Sequence, residues 1–310
     1  MGVRPILVTG VGGTVGGVGR MVLDHVRAQG VPVRALVHHD DDRATALRAL
    51  DGVEVVVGDL THGADVVEAF SGCRRAYFGM SVSPVYLEAA TTVAAAVREG
   101  DGLDLLVSMS QMTVSQMSLT SAAESRQQRL HWLSEHVLNW SGAPVVHVRP
   151  TVFMENPLFA RVAAASVQRD GTIRLPFGSA RTSPVAAADV AEAIAHLLLA
   201  PTPPSRRVYE LTGAHARDMN AIAAELSTAL GRPVTYVDVP YEEWLEDDLK
   251  KQPLPPHVFE HIATMARLHR ENRYDRATND IAELLGRPPL GFDHLLRNTP
   301  PPQPQDRSRS

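Results

Sequence analysis

Short apolar runs punctuate the first half of the chain, near residues 4–9, 33–37, 53–57, 74–79, 103–109 and 145–149. Between them, helical periodicity fills residues 17–29, 42–50, 63–71, 84–99 and 121–140. The runs are apolar throughout instead of alternating, the pattern predicted for parallel strands whose two faces are both covered. Strand and helix in regular alternation predict an α/β fold with a doubly wound parallel sheet, of Rossmann type.

The rhythm breaks after "HVRPTVFMEN". A helix is predicted near residues 157–169, then "GTIRLPFG", then a strongly apolar helix in "SPVAAADVAEAIAHLLLA". "PTPPS" marks a surface turn. "RVYELTG" and "PVTYVDVP" read as two strands bracketing the helix "MNAIAAELSTAL", and a mainly helical end runs through "HVFEHIATMARLHREN". This pattern predicts a dinucleotide-binding domain over residues 1–150, to which residues 183–200 return. Residues 151–182 and 201–298 are assigned to a smaller C-terminal α+β substrate lobe, and the Pro-rich, polar 299–310 to a disordered tail.

Composition narrows the class. The chain of 310 residues is 44% hydrophobic and 21% charged, as in ordinary globular proteins. Its net charge of -5 gives no support to a nucleic-acid surface. A single cysteine, Cys73, excludes a disulfide framework and a multi-cysteine zinc site. No apolar run reaches membrane-spanning length. "MGVRPILVTG" enters a strand directly, without a leader pattern, and Ile6 stands where a myristoylation signal needs Ser or Thr. The expected compartment is the cytoplasm.

Candidate chemistry begins in "ILVTGVGGTVGGVGR". A glycine-rich turn between a first strand and a helix lets backbone N–H groups approach a pyrophosphate at the helix amino end. Here the turn has the strand before it, the helix after it and further βα units beyond, which is the context a dinucleotide site requires.

Together, "VTGVGGTVGGVGR", "VRALVHHDDDRA", "GVEVVVGDLT", "SGAPVVHVRPTVFMEN", "SPVAAADVAEAI", "VYELTG" and "LGRPVTYVDVP" resemble the NmrA-like family of atypical short-chain dehydrogenases, in the family's order and over nearly the whole chain. The family's loop reads T-G-x-x-G-x-x-G. Thr9, Gly10, Gly13 and Gly16 fit it, with Thr14 and Val15 between the last two, and so does the shifted set Gly13, Gly16 and Gly19. Counted back from Gly30, the usual helix length ends at Gly19, so the loop carries three extra residues.

The resemblance also implies how the cofactor is read. Where relatives often have Arg at the end of the second strand, this chain has His38, followed by His39 and three aspartates. An imidazole is only partly cationic at neutral pH and is a weaker partner for a 2′-phosphate than the fixed fork of Arg. The aspartates would repel that phosphate if they faced it, or else simply start a helix at its positive end. NADP is the expected cofactor, with a weak preference over NAD. Asp59 and Leu60 match the family's adenine-contacting pair, although an aspartate there also caps helices. Met80 and Ser81, at the end of the fourth strand, are expected to border the cofactor.

The family's relatives among short-chain dehydrogenases usually carry Tyr-x-x-x-Lys, in which Tyr gives a proton to the carbonyl. Aligned through Glu135, the Lys position holds His131 and the Tyr position Gln127; the chain's two lysines, Lys250 and Lys251, lie far downstream. Ser110 occupies the family's strand-end Ser position, so the catalytic candidates are Ser110, His131 and Gln127. Each also has a structural reading, as a helix cap or a packed helix face. Arg149 reads as a tether more than a catalyst. Phe153, Met154, Glu155 and Asn156, just past "RP", are the candidate substrate contacts.

Without the Tyr–Lys pair, the resemblance implies hydride delivery to an acceptor that needs no strong acid, such as a quinone or a cationic conjugated dye, or no turnover at all. The expected partner is therefore a small molecule, aromatic or conjugated. The alternatives are an NAD(P)-sensing regulator acting through a protein partner, and a biosynthetic protein with a non-redox cleft. His257 and His261 form H-x-x-x-H on a predicted helix, but no third ligand accompanies them and no metal is expected.

Overall fold

The computed structural model describes residues 4–12, 17–100 and 102–292. Its strands, in chain order, are β1 (Ile6–Val8), β2 (Val33–Val37), β3 (Val53–Val57), β4 (Arg75–Phe78), β5 (Leu105–Met109), β6 (Val145–Pro150), β7 (Thr172–Leu175), β8 (Val208–Leu211) and β9 (Thr235–Asp238). Seven of them form one parallel sheet in the order β3-β2-β1-β4-β5-β6-β8. The chain reverses direction across the sheet between β1 and β4, the switch point where doubly wound proteins open a crevice at the carboxyl ends of their strands. This is a Rossmann-like α/β fold.

The α-helices among the described residues are α1 (Val18–Ala28), α2 (Asp42–Arg48), α3 (Gly63–Phe70), α4 (Tyr86–Glu99), α5 (Arg126–Trp140), α6 (Ala164–Asp170), α7 (Ala187–Leu199), α8 (Met219–Leu230), α9 (Tyr241–Trp244), α10 (Pro256–Arg270) and α11 (Asp280–Leu285). Val18, Val22 and Val26 recur every four residues on α1, and this buried stripe packs with β1, β2 and α7 in one core. Each such fully buried valine contributes on the order of 1.5–3 kcal/mol. Gly30, in the left-handed region at φ 72°, turns the chain out of α1. On the other face, α3, α4 and α5 cover β4 and β5 in a second core that includes Val66, Tyr86, Val93 and Leu138.

The two strands predicted around "MNAIAAELSTAL" go to different sheets. β8 hydrogen-bonds to β6 and extends the main sheet, although its residues were expected in the lobe. β9 pairs with β7 in a two-stranded parallel sheet. The lobe has its own core, in which Phe177, Met219, Trp244, Ile262 and Leu268 are buried. After α9 a π-helical turn, Leu245–Leu249, buries Leu249 and leaves Lys250 and Lys251 exposed, where they pair with Glu246 and Asp247.

Two starts differ from the periodicity for a physical reason. The helix expected near residue 121 begins at Arg126, because Ser125 and Gln128 close a capping box that satisfies two amide groups. The helix expected near 157–169 is a π-helical turn, Leu158–Ala163, running into α6.

Helix α1 approaches β1 closely at Gly19. A Cβ there would lie 2.6 Å from the Gly10 carbonyl carbon and oxygen and 2.8 Å from the Thr9 carbonyl oxygen, all backbone atoms with no freedom to yield. Gly19→Ala is expected to destabilise the protein by about 1–3 kcal/mol in urea unfolding, as overpacking does. Gly12→Ala, whose Cβ would meet only the tip of Arg43 at 3.9 Å, is expected to stay within about 0.5 kcal/mol of wild type. Equal midpoints for the two variants would contradict the close-packing role.

Candidate functional site

A cleft of about 380 Å³ opens at the carboxyl ends of β1, β4, β5 and β6, under the lobe. Gly10, Gly19 and Gly79 form its floor, Met80, Ser110, Thr113, His131, Phe153 and Asn156 one side, and Leu254, His261, Met265 and Tyr274 the lobe side. Among the described lining residues there is no Lys, Arg, Asp or Glu.

The floor is built by close backbone approach. Gly10 has φ 69°, and a Cβ on it would stand 2.5 Å from the Gly79 carbonyl oxygen. Thr9 locks this arrangement instead of facing the cleft: its hydroxyl donates to the Gly79 carbonyl (2.8 Å) and accepts from the Gly79 N–H (2.9 Å). Gly10 and Gly19 thus hold the outer positions of the glycine fingerprint, the first for the turn and the last for helix–strand packing. They stand nine residues apart, where T-G-x-x-G-x-x-G places six between its outer glycines, which accords with a loop widened by three. Gly13, Thr14, Val15 and Gly16 lie outside the described residues.

Three polar atoms around the cleft are buried and take no partner in hydrogen-bond geometry: Ser110 Oγ, His131 Nδ1 and Thr151 Oγ1. Ser110 lies near enough to Glu135 to help hold its charge. Buried polar atoms without partners are rare in native proteins, and these three converge on one cleft. His131 stacks on Tyr86 with ring centroids 4.0 Å apart, and Tyr86 in turn donates to the Met109 carbonyl (2.8 Å). Burial, reinforced by His261, pushes the His131 pKa down to about 3. At neutral pH it is a neutral imidazole and no source of a strong acid.

The remaining candidates divide. Met80, Ser81, Phe153 and Asn156 line the cleft. Gln127 does not: it is buried outside the lining with both amide atoms unpaired. Met154 is packed in the lobe core. Both Glu155 oxygens accept the Ala187 N–H at 3.1 Å, a cap on α7. The turn after β6 thus uses Met154 for packing and Glu155 for capping, and Gln127 lies outside the cleft lining. Arg149 is held by Glu135 at 2.6 Å and faces Glu210 at 3.9 Å, a tether between α5, β6 and β8. Burial raises the Glu135 pKa, but the Arg149 hydrogen bonds, the charges of His147 and Arg149 and the nearby Ser110 hydroxyl together outweigh it and hold the carboxyl below its ordinary value.

At the ends of β2 and β3, outside the cleft lining, His38 Nε2 stands 3.9 Å from Asp59. Asp59 accepts from the backbone and hydroxyl of Thr61, and Leu60 packs on the neighbouring core. Asp41 caps α2. Arg43, missed in the sequence, donates to Asp41 (2.7 Å) and to the Gly12 carbonyl (3.3 Å), so it borders the glycine loop with its charge largely matched.

Three further lining residues were not anticipated as a set: Tyr77, Tyr274 and His261. The H-x-x-x-H pattern had singled out His261, but His257 is absent from the cleft lining. Tyr274 ends a stack of three rings, with His269 at 3.8 Å and Phe177 a further 4.2 Å behind. No cluster of three or more metal-ligating side chains occurs among the described residues, and no helix there is long and apolar enough to cross a membrane.

Sheet order, switch-point cleft and glycine packing define a nucleotide-binding type of α/β protein, and comparison with known proteins narrows it. Residues 4–287 match the NmrA-like family, and the chain belongs to that family. It is 31% identical over 287 residues to a (4-alkanoyl-5-oxo-2,5-dihydrofuran-3-yl)methyl phosphate reductase of Streptomyces griseus subsp. griseus, covering 93% of this chain and 95% of the relative. It is 28% identical over 235 residues to an NAD(P)H azoreductase of Xenophilus azovorans, covering 75% and 77%. Its fold matches that of an NADPH-dependent quinone oxidoreductase of Escherichia coli solved with NADPH, with a TM-score of 0.80, 23% identity, and 94% and 98% of the two chains covered.

The buried histidines carry a stability prediction. His131, His261 and His269 have pKa values lowered by burial to about 3, 4 and 3, against 6.5 when solvated. The unfolded chain therefore binds more protons below pH 6.5, and the stability these neutral rings contribute is lost as pH falls from there toward 4. At pH 5 each is expected to cost about 2 kcal/mol relative to pH 7. Urea unfolding at both pH values checks this, and a flat profile would contradict it.

Proposed function

We propose that the protein is an NAD(P)H-dependent reductase that passes hydride to an uncharged, conjugated acceptor. The observation that carries this reading is the cleft: the buried polar atoms of Ser110, His131 and Thr151 converge on a chamber with no charged side chain among its described lining, at the switch point of the sheet. The residues fit a dinucleotide. Gly10 and Gly19 leave no room for a Cβ, and the unsatisfied amides of the first turn of α1 face the same edge, where a pyrophosphate is stabilised. His38 stands at the strand end that would read the adenosine ribose, and Asp59 and Leu60 at the position that would contact the adenine, with NADP favoured weakly. The two relatives named as reductases support the reaction class.

When bound, the nicotinamide would supply hydride. Ser110, His131 and Thr151 would hold polar atoms of the ligands with hydrogen bonds, while Met80, Met109, Met112 and Phe153 exclude water. His131, neutral at working pH, holds no proton ready for transfer, so the acceptor must be one whose reduced form draws its proton from solvent. The phosphate in the Streptomyces relative's substrate would find no cation among the described lining residues here. The acceptor class is therefore quinone-like or otherwise conjugated and uncharged.

Calorimetric titration with NADPH and NADH at fixed salt is expected to give micromolar binding of at least one, followed by NAD(P)H oxidation on adding a quinone or an azo dye. Absence of binding at millimolar cofactor would overturn the reading. Tight binding without turnover across such acceptors would favour the dinucleotide-sensing regulator instead.

A further inference from the structure

We propose that His261 presents a neutral Nε2–H donor to the carbonyl oxygen of the acceptor, locked in that tautomer by Ser125 across the boundary between the sheet domain and the lobe. His261 is on α10, in the lobe, and its ring lines the cleft opposite His131 on α5. Its Nδ1 lies 2.9 Å from Ser125 Oγ.

Hydrogen-bond accounting at Ser125 determines which atom donates. The hydroxyl oxygen already accepts the Gln128 N–H at 3.2 Å, while the Ser125 N–H donates to Gln128 Oε1 at 2.8 Å. Ser125 is buried, and among the described residues His261 Nδ1 is the one acceptor its hydroxyl hydrogen reaches. If Nδ1 carried the ring proton, that hydrogen would be left unsatisfied. Ser125 therefore donates, Nδ1 accepts, and the neutral ring carries its proton on Nε2. No described protein group takes that Nε2–H. Gln128 is itself fixed by donating to Thr113 Oγ1 at 3.2 Å, and Thr113 lines the same cleft. Burial, with His257 adding to it, lowers the His261 pKa to about 4 and keeps the ring neutral.

A neutral imidazole N–H is suited to an oxygen that gains charge without taking a proton from the enzyme. As hydride from NAD(P)H bonds to the conjugated acceptor, NAD(P)H is oxidised by two electrons and electron density moves onto the acceptor's oxygen. The Nε2–H hydrogen bond stabilises that density, and water supplies the proton that completes the reduced acceptor. The turnover part of this inference rests on the reductase reading; the tautomer and the binding preference do not.

Nitrogen-15 NMR of histidine-labelled protein is expected to show His261 protonated at Nε2; protonation at Nδ1 would overturn the proposal. Binding of menadione is then compared with 2-methylnaphthalene, a hydrocarbon of similar shape with no carbonyl, in the presence of NADP. Wild type is expected to prefer menadione about tenfold. His261→Leu should lose the preference and His261→Gln, which keeps an N–H near the same place, should retain most of it, with NADP affinity unchanged in both. A preference that survives in His261→Leu, or is absent in wild type, would overturn the proposal. Should NADPH oxidation by menadione be absent while the preference follows these expectations, the reductase reading fails and the donor assignment stands. Where turnover is present, His261→Leu should lower kcat/KM about tenfold or more.

Discussion

The approach of Gly19 to the Thr9–Gly10 backbone governs the geometry of the whole cleft. It brings the first turn of α1 down onto the carboxyl edge of β1, and Thr9 fastens the same turn to Gly79 at the end of β4. With β1 and β4 held at the switch point, the loops after β4, β5 and β6 converge on one chamber. Side chains at Gly10 or Gly19 would prise these layers apart, so the floor of the site and the packing of the domain are one construction.

The chamber is dry in a particular sense. Its titratable side chains are His131, His261, Tyr77 and Tyr274, all kept neutral by burial. The formal charges nearby are paired outside it, in Glu135–Arg149–Glu210 and Glu210–Arg276. A bound ligand thus meets dipoles and polarisable sulfur instead of ions. Such a lining suits flat apolar molecules with a few oxygen or nitrogen atoms, and it gives little to a molecule that carries its own charge.

Much of this was legible in the sequence, for identifiable reasons. Buried parallel strands write themselves as unbroken apolar runs, so β1 to β6 were found where periodicity put them. The C-terminal lobe was read less well. β8 and β9 have similar local patterns, and nothing local says that one joins β6 while the other pairs with β7. At the site, Ser110, His131, Met80, Ser81, Phe153 and Asn156 lie at strand ends or on the first helix turns beside them, positions that topology dictates. Gln127 shares a helix with His131, one turn away, but it is buried outside the cleft lining, a difference that helical periodicity does not carry. His261 itself was visible only as half of an H-x-x-x-H pair. Its partner proved to be a serine on another domain, a pairing no spacing rule encodes.

The π-helical turn after α9 sets both of the chain's lysines side by side on the surface, while its one thiol, Cys73, is buried and made less acidic by that burial. Side-chain amines are thus confined to a single spot, two residues before the Pro253–Pro255 rim of the cleft. Coupling through lysine side chains to an activated-ester bead would anchor the protein by that edge, with the tether beside the entrance. Attachment elsewhere would require a lysine introduced on purpose, for which the exposed outer turns of α2 and α3 offer the sites farthest along the sheet.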